Sequence, residues 1–260
     1  MRGTGVVLAM AGLLGVFPGL HPAQAADRVV TVAAAADLKF AMDDLVASFE
    51  RSHPDIFVRS SFGSSGNFFS ALQNEAPFDL FLSADVEYAR RLKEAGLSGP
   101  GSVFLYALGR LVLFVPRSFP EKVTGLAILE SDQVKHVAIA NPEHAPYGRA
   151  AEAALRKAGL YERVKSKLVF GENVAQTAQF VETGAADAGL IALSLALAPG
   201  LQKAGRYVEI PRDTYPPIEQ GGLVLKWAKD RAAAEAFRDF VLGAEGRAIL
   251  LRYGFLPPGD

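Results

Sequence analysis

Cysteine is absent from the 260-residue chain, which removes disulfides, thiolate metal sites and cysteine nucleophiles together. Histidine is scarce: His21, His53, His136 and His144 never fall at the i, i+4 spacing of a helical zinc site, so no structural metal is expected. Net charge is nearly lacking as well. Lys and Arg number 27 against 28 Asp and Glu, leaving −1, which argues against a protein that covers a nucleic-acid backbone or an anionic membrane but allows one small anion. Enzyme signatures are missing. There is no Walker A loop, no complete dinucleotide glycine pattern and no HExxH. The run Gly63-Ser64-Ser65-Gly66-Asn67 misses the nucleophile elbow because Asn67 stands where the final glycine belongs. Asp79, Asp85 and Asp187 are scattered at element ends, where capping is the expected role, so neither catalysis nor a cofactor is expected.

What is present begins with a leader. Arg2 precedes an apolar stretch from Val6 to Phe17, followed by Pro18, Gly19 and a small-residue run ending Ala23-Gln24-Ala25. That is the form of a secretory signal peptide with an A-x-A cleavage site, and the run is too short for a spanning helix. Residues 1–25 are therefore expected to be removed, and loss of Arg2 takes the charge from −1 to −2. No later segment is long and apolar enough to span a bilayer, so the mature chain is expected to be soluble and outside the cytoplasm. With 50% hydrophobic and 21% charged residues, the remainder can bury a large core.

From Val29 onward, short apolar runs alternate with longer amphipathic ones, the pattern of an α/β fold with crossover helices. Strands are expected at Val29 to Ala34, Ile56 to Phe62, Phe78 to Ser83, Leu111 to Val115, Val137 to Ala140, Ala188 to Leu193, Tyr207 to Ile210 and Leu223 to Trp227. Helices are expected from Leu38 through Phe49, after Asn67 through Leu72, and near Val86 to Ala95, Gly148 to Ala158, Val174 to Glu182, Asp230 to Leu242 and Ala244 to Tyr253. Two such series suggest two lobes, each a mostly parallel sheet flanked by helices, with a hinge between them. Crossings near Leu108 and Thr214 make lobe 1 residues 26–108 plus 215–260 and lobe 2 residues 109–214. A single large sheet is the alternative.

Four junctions share one feature: a strand ends, small or turn-forming residues follow, and a helix begins. They are Ala33 to Asp37, Gly63 to Asn67, Asn141 to Gly148 and Gly171 to Val174. Ligands of open α/β sheets bind at the carboxyl ends of strands. Helix starts there expose N–H groups that no carbonyl within the helix can satisfy, and their partial positive charge favours an anion. None of the four contains Lys or Arg. An anion bound there is held by neutral donors, which select a fully ionised tetrahedral dianion, because a protonated one would turn a hydrogen toward a buried N–H. Taken singly the loops have plainer readings: Gly-Ser-Ser-Gly as a turn, the alanine run as close packing, Tyr147 as a core tyrosine. Their joint occurrence at helix starts favours a site.

The segments TVAAAADL (31–38), FGSSGN (62–67), APFDLFLSAD (76–85), NPEHAPYGRAA (141–151), GENVAQT (171–177), GAADAGLIALS (184–194) and RYGF (252–255) resemble, in order, those of the molybdate/tungstate-binding proteins of bacterial ABC transporters. The resemblance implies a two-lobed solute-binding fold enclosing molybdate or tungstate, an ABC permease as membrane partner, and a monomer. It implies contacts at Ala36 and Asp37, at Ser65 and Gly66, at Tyr147, and at Val174 through its backbone N–H. These positions coincide with the four loops. Two departures stand out. Asp37 occupies a place where many relatives have serine, and a carboxylate beside a dianion is repulsive unless it points away or is protonated, so Asp37 is expected to cap its helix. Ala192 stands where some relatives have tyrosine. Binding of another small anion or organic acid, a secreted enzyme on the same scaffold, and a ligand-sensing partner of a receptor remain the alternatives.

Overall fold

The computed structural model describes residues 28–101 and 103–259; the expected leader, 1–25, lies outside them. Two five-stranded sheets are formed. The first takes β1 (Arg28–Ala35), β2 (Ile56–Gly63), β3 (Leu80–Ser83), β4 (Phe104–Gly109) and β10 (Ile218–Val224) in the order β2-β1-β3-β10-β4. The second takes β5 (Leu111–Pro116), β6 (Val137–Ala140), β7 (Leu168–Gly171), β8 (Ala188–Ala192) and β9 (Gly205–Glu209) in the order β7-β6-β8-β5-β9. The chain passes from one sheet to the other between Gly109 and Leu111 and returns between Glu209 and Ile218.

The sheets repeat one plan. In the first, β1 pairs in parallel with β2 and β3, whereas β10 is antiparallel to both β3 and β4. In the second, β6 pairs in parallel with β7 and β8, and β5 is antiparallel to both β8 and β9. Each sheet is thus parallel except for one reversed strand, and that strand is the one entered directly from the other lobe. The parallel strands are joined by α1 (Lys39–Ser52), α2 (Ser65–Gln73) and α3 (Val86–Glu94) in the first lobe, and by α4 (Pro146–Lys157), the single turn α5 (Tyr161–Val164) and α6 (Val174–Glu182) in the second. The short helices α7 (Leu193–Ala196) and α8 (Pro199–Ala204) follow β8, and α9 (Arg231–Leu242) and α10 (Ala244–Arg252) close the chain.

Side-chain alternation along the strands builds three layers in the first lobe. Val30, Val32, Leu80 and Leu82 face one side, packing with Leu45 and Phe49 of α1, Phe237 of α9 and Ile249 of α10. Ala33, Phe81 and Leu223 face the other, against Phe69 and Leu72 of α2 and Leu92 of α3. Phe49 meets Phe237 edge-on at 5.1 Å between ring centres. Burying a side chain of that size contributes roughly 2–3 kcal/mol, so the C-terminal helices hold α1 against the sheet. Farther on, Leu108 and Leu256 exchange backbone hydrogen bonds of 2.8 and 3.0 Å, tying the chain end to the crossing.

Of the three scattered carboxylates, Asp85 caps α3 by accepting from the Glu87 N–H at 3.0 Å. Asp79 and Asp187 do different work: Asp79 accepts from the Thr31 and Lys229 N–H groups, and Asp187 from those of Lys135 and His136. They satisfy backbone donors between elements rather than at helix starts.

Candidate functional site

The carboxyl ends of the parallel strands in both sheets point at one another, and the four loops meet there. β1 ends in the buried alanines Ala33, Ala34 and Ala35, which leave room for a 3-10 turn over Ala36–Leu38 before α1. Ser65 is the first residue of α2, capped by Ser64; Tyr147 is the second residue of α4, after Pro146 at its start. Val174 opens α6, whose cap is Asn173. Between them lies a pocket lined by Ala36, Asp37, Ser65, Tyr147 and Val174, with Ala84, Asn173 and other small residues at its edge. The space between them is small, walled mostly by short side chains and by the first turns of the helices. A wider depression of about 450 Å³ lies outside, along Lys39, Phe40, Asn173 and Gln179. We place the site in the smaller space because helix starts of both lobes line it without Lys or Arg, whereas Lys39 lines the wider one.

The donors are arranged by their neighbours. The Ser65 hydroxyl accepts from the Ala84 N–H at 2.9 Å, so its own proton is free for another acceptor. Asn173 Oδ1 accepts from the Ala175 and Gln176 N–H groups at 3.0 and 3.1 Å. Val174 N–H is left as the donor of that turn which the cap does not take. Tyr147, 2% exposed, has its hydroxyl 3.3 Å from Gln220 Nε2 and beside Asp37. Burial, and then the neighbouring Asp37 charge, push the Tyr147 phenol well above its ordinary range, so it is an O–H donor at any ordinary pH. A side chain on Gly109 would strike this hydroxyl and approach Gln220 Nε2 to 2.8 Å, which explains glycine at the crossing.

Gly66 stands apart from the pocket. Its N–H donates to the His144 carbonyl at 2.9 Å, joining the lobes instead of facing the space between them. Other links flank it: His144 Nδ1 lies 2.9 Å from Ser64 Oγ, Asn67 donates to Glu172, and Arg149 pairs with Asp85 at 2.6 Å. Ala35, Ala36 and Ala84 of the first lobe pack into the core of the second. The two lobes are closed on one another.

Asp37 differs from the expectation. Neither the 3-10 turn nor α1 carries a side-chain cap, although the N–H groups of Asp37 and Leu38 lie near enough to favour the ionised carboxyl. The side chain turns to Gln220, whose Nε2 donates to Oδ2, while Oδ1 is buried without a hydrogen-bond partner. Burial, the largest influence, drives this carboxyl up to about 6 against the pull of Gln220 and Tyr147. Ser194 Oγ, from the second lobe, donates to the Asp37 carbonyl at 2.7 Å. Gln220 is held in turn by Tyr106, whose hydroxyl lies 2.8 Å from Oε1 and 3.0 Å from the Ser83 carbonyl. Gln220, Tyr106 and Ser194 were not identified from sequence. The one available signal was a glutamine beside two glycines in Ile218–Val224, at a position the strand buries. Ala192 is fully buried at the start of α7 and contributes no hydroxyl.

Among the described residues no cluster of three or more His, Cys, Asp or Glu is placed to hold a metal ion, and no helix is long and apolar enough to cross a membrane. Two α/β lobes closing helix starts around a small pocket lined without Lys or Arg define a solute-binding protein of the two-lobed class. The chain belongs to the bacterial extracellular solute-binding proteins, whose family model matches residues 30–256. It is 40% identical to the molybdate-binding protein ModA of Azotobacter vinelandii over 250 residues, 96% of either chain. Against that of Rhodobacter capsulatus it is 38% identical over 199 residues, 76% of this chain and 77% of the other. The solved Azotobacter vinelandii periplasmic molybdate-binding protein superposes with a TM-score of 0.82 at 30% identity, covering 88% of this chain and 99% of that one. The resemblance read from the sequence segments is thereby borne out, as is the two-lobed fold.

Proposed function

We propose that this chain is the periplasmic binding component of an ABC transporter, capturing molybdate, or tungstate by the same donors, in the pocket between its lobes. Lobe 1 is then residues 26–108 plus 215–260 and lobe 2 residues 109–214, and the exported monomer presents its closed form to the permease. The observation that carries this reading is the convergence of Ala36, Ser65, Tyr147 and Val174, from both lobes, on one small space lined without Lys or Arg. Neutral donors fixed before the ligand arrives stabilise an anion without the cost of burying a counter-charge, and they select by geometry. Molybdate and tungstate share size and charge, so both fit one donor set. The molybdate-binding names of the relatives at 40% and 38% identity support the choice of ligand.

A thermal-unfolding screen of the exported protein against molybdate, tungstate, sulfate, phosphate and small organic acids tests it. Molybdate and tungstate at 100 times their dissociation constants are expected to stabilise by about 2.7 kcal/mol. A response to an organic acid alone, with none to either metal oxyanion, would refute the assignment.

A further inference from the structure

One group in the pocket is out of keeping with a site made of neutral donors. Asp37 is 1% exposed and lines the space directly. Gln220 Nε2 holds one carboxyl oxygen; the other is buried without a partner. A dianion placed against an ionised carboxylate would add charge repulsion to a missing hydrogen bond.

We propose that Asp37 is a ligand-contacting residue that holds the oxyanion as a neutral carboxylic acid, so that capture of one dianion takes up one proton. This rests on the transport reading above. The unpartnered Oδ1 becomes the donor, while Oδ2 continues to accept from Gln220. The proton comes from solvent as the lobes close and returns to it on release, leaving Asp37 ionised.

The groups packed around Asp37 offer no other means of neutralising it. From β4 comes Tyr106, from α4 Tyr147, and from β10 Gln220. From α7 comes only the Ser194 hydroxyl, bonded to the Asp37 carbonyl, and from α2 Ser65, bonded to Ala84. The basic side chains at the lobe contact beside the pocket are engaged elsewhere: Arg149 with Asp85, and the His144 ring with Ser64. Among the described residues Asp37 has no ion pair. Burial already raises its carboxyl to about 6 in the empty pocket, and a dianion alongside moves it further the same way. Below that pH the carboxyl is already protonated and affinity is flat. Above it, each captured dianion must bring a proton, and affinity falls about tenfold per pH unit.

Isothermal titration of the exported protein with sodium molybdate, from pH 6 to 8.5 in paired buffers of different ionisation enthalpy, tests the proposal. Wild type is expected to take up close to one proton per molybdate at pH 8 and to lose about tenfold in affinity from pH 7 to 8. Asp37→Asn keeps a donor there but cannot titrate, so its affinity is expected to be flat over the same range with no proton uptake. Infrared difference spectra are expected to gain a protonated-carboxyl band on binding in wild type and not in the variant. Asp37→Ser serves as a second non-titrating form should the asparagine protein fail to fold. Tight molybdate binding by wild type with no proton uptake and no pH dependence would overturn the proposal and leave the transport reading standing. Failure of wild type and both variants to bind molybdate at any pH would overturn both.

Discussion

Asp37 also shapes the empty protein. Its folded-state carboxyl lies near 6 against an ordinary 3.8, so between those values the folded chain binds more protons than the unfolded one. Stability without ligand is therefore full below about pH 4, falls as pH rises towards 6, and levels off above. The loss is of order 3 kcal/mol. Urea unfolding of ligand-free protein is expected to give a lower midpoint at pH 8 than at pH 5, and Asp37→Asn to remove most of that difference. An unchanged wild-type midpoint would mean that the carboxyl is solvated in the empty state. Reading Asp37 as a helix cap was reasonable from its neighbours in the chain, since an acidic residue after a strand usually serves that purpose. What displaced that role is Gln220, 183 positions away, and no local pattern announces a partner at that distance.

The helices of the site are used for their first turns, and α6 isolates the effect. Asn173 caps it through two backbone N–H groups, and the same residue borders the pocket. Aspartate caps as well as asparagine, so Asn173→Asp is expected to leave unfolding within about 0.5 kcal/mol of wild type. It nevertheless adds a formal negative charge beside the anion, and molybdate affinity is expected to fall by about tenfold or more in titration at low salt, less at high salt. Equal affinity in the two proteins would take the α6 start out of the site. The sequence signals of this helix were strong enough for both ends, Val174 and Glu182, to be legible in advance, as were those of β6 at Val137 and Ala140. Other elements hid. β7 offers only three apolar residues after the basic turn Lys165–Lys167 and is only partly buried, and β4 precedes a crossing that reads equally well as a linker. β10 was expected to begin at Leu223 but begins at Ile218, with a register shift at Gln220 and Gly221. Its two glycines look like breakers in a sequence. In the sheet they are what fits, since a side chain on Gly221 would come within 2.7 Å of the Phe104 carbonyl oxygen and one on Gly222 would strike that of Phe81. The start of α6 was legible because its cap is local; α1 and α4 begin without a side-chain cap, and the order of the sheets that brings the four starts together was not legible.

At the scale of the whole molecule, capture depends on how closely two lobes approach, and Gly66 marks a close backbone contact between them. A side chain there would lie 2.6 Å from the His144 carbonyl oxygen and 2.9 Å from its Cα. Both are main-chain atoms of the opposite lobe, so they cannot swing aside as a flexible side chain would. Only separation of the lobes relieves the overlap, and separation also withdraws Tyr147 and Val174 from Ser65. Gly66→Ala sits within α2, where alanine is the better helix former by up to about 1 kcal/mol, so the ligand-free protein is expected to unfold no more easily than wild type. Its molybdate affinity is expected to drop by at least about tenfold, the equivalent of one lost hydrogen bond of roughly 1–1.5 kcal/mol at the lobe interface. Small-angle scattering separates this from a change at the pocket itself: the radius of gyration of wild type is expected to shrink when molybdate is added, and that of Gly66→Ala to stay near its ligand-free value even at saturating ligand. Full contraction with wild-type affinity would show that the lobes need not meet at Gly66 to hold the anion, and would shift the burden of closure to Arg149 and Asp85.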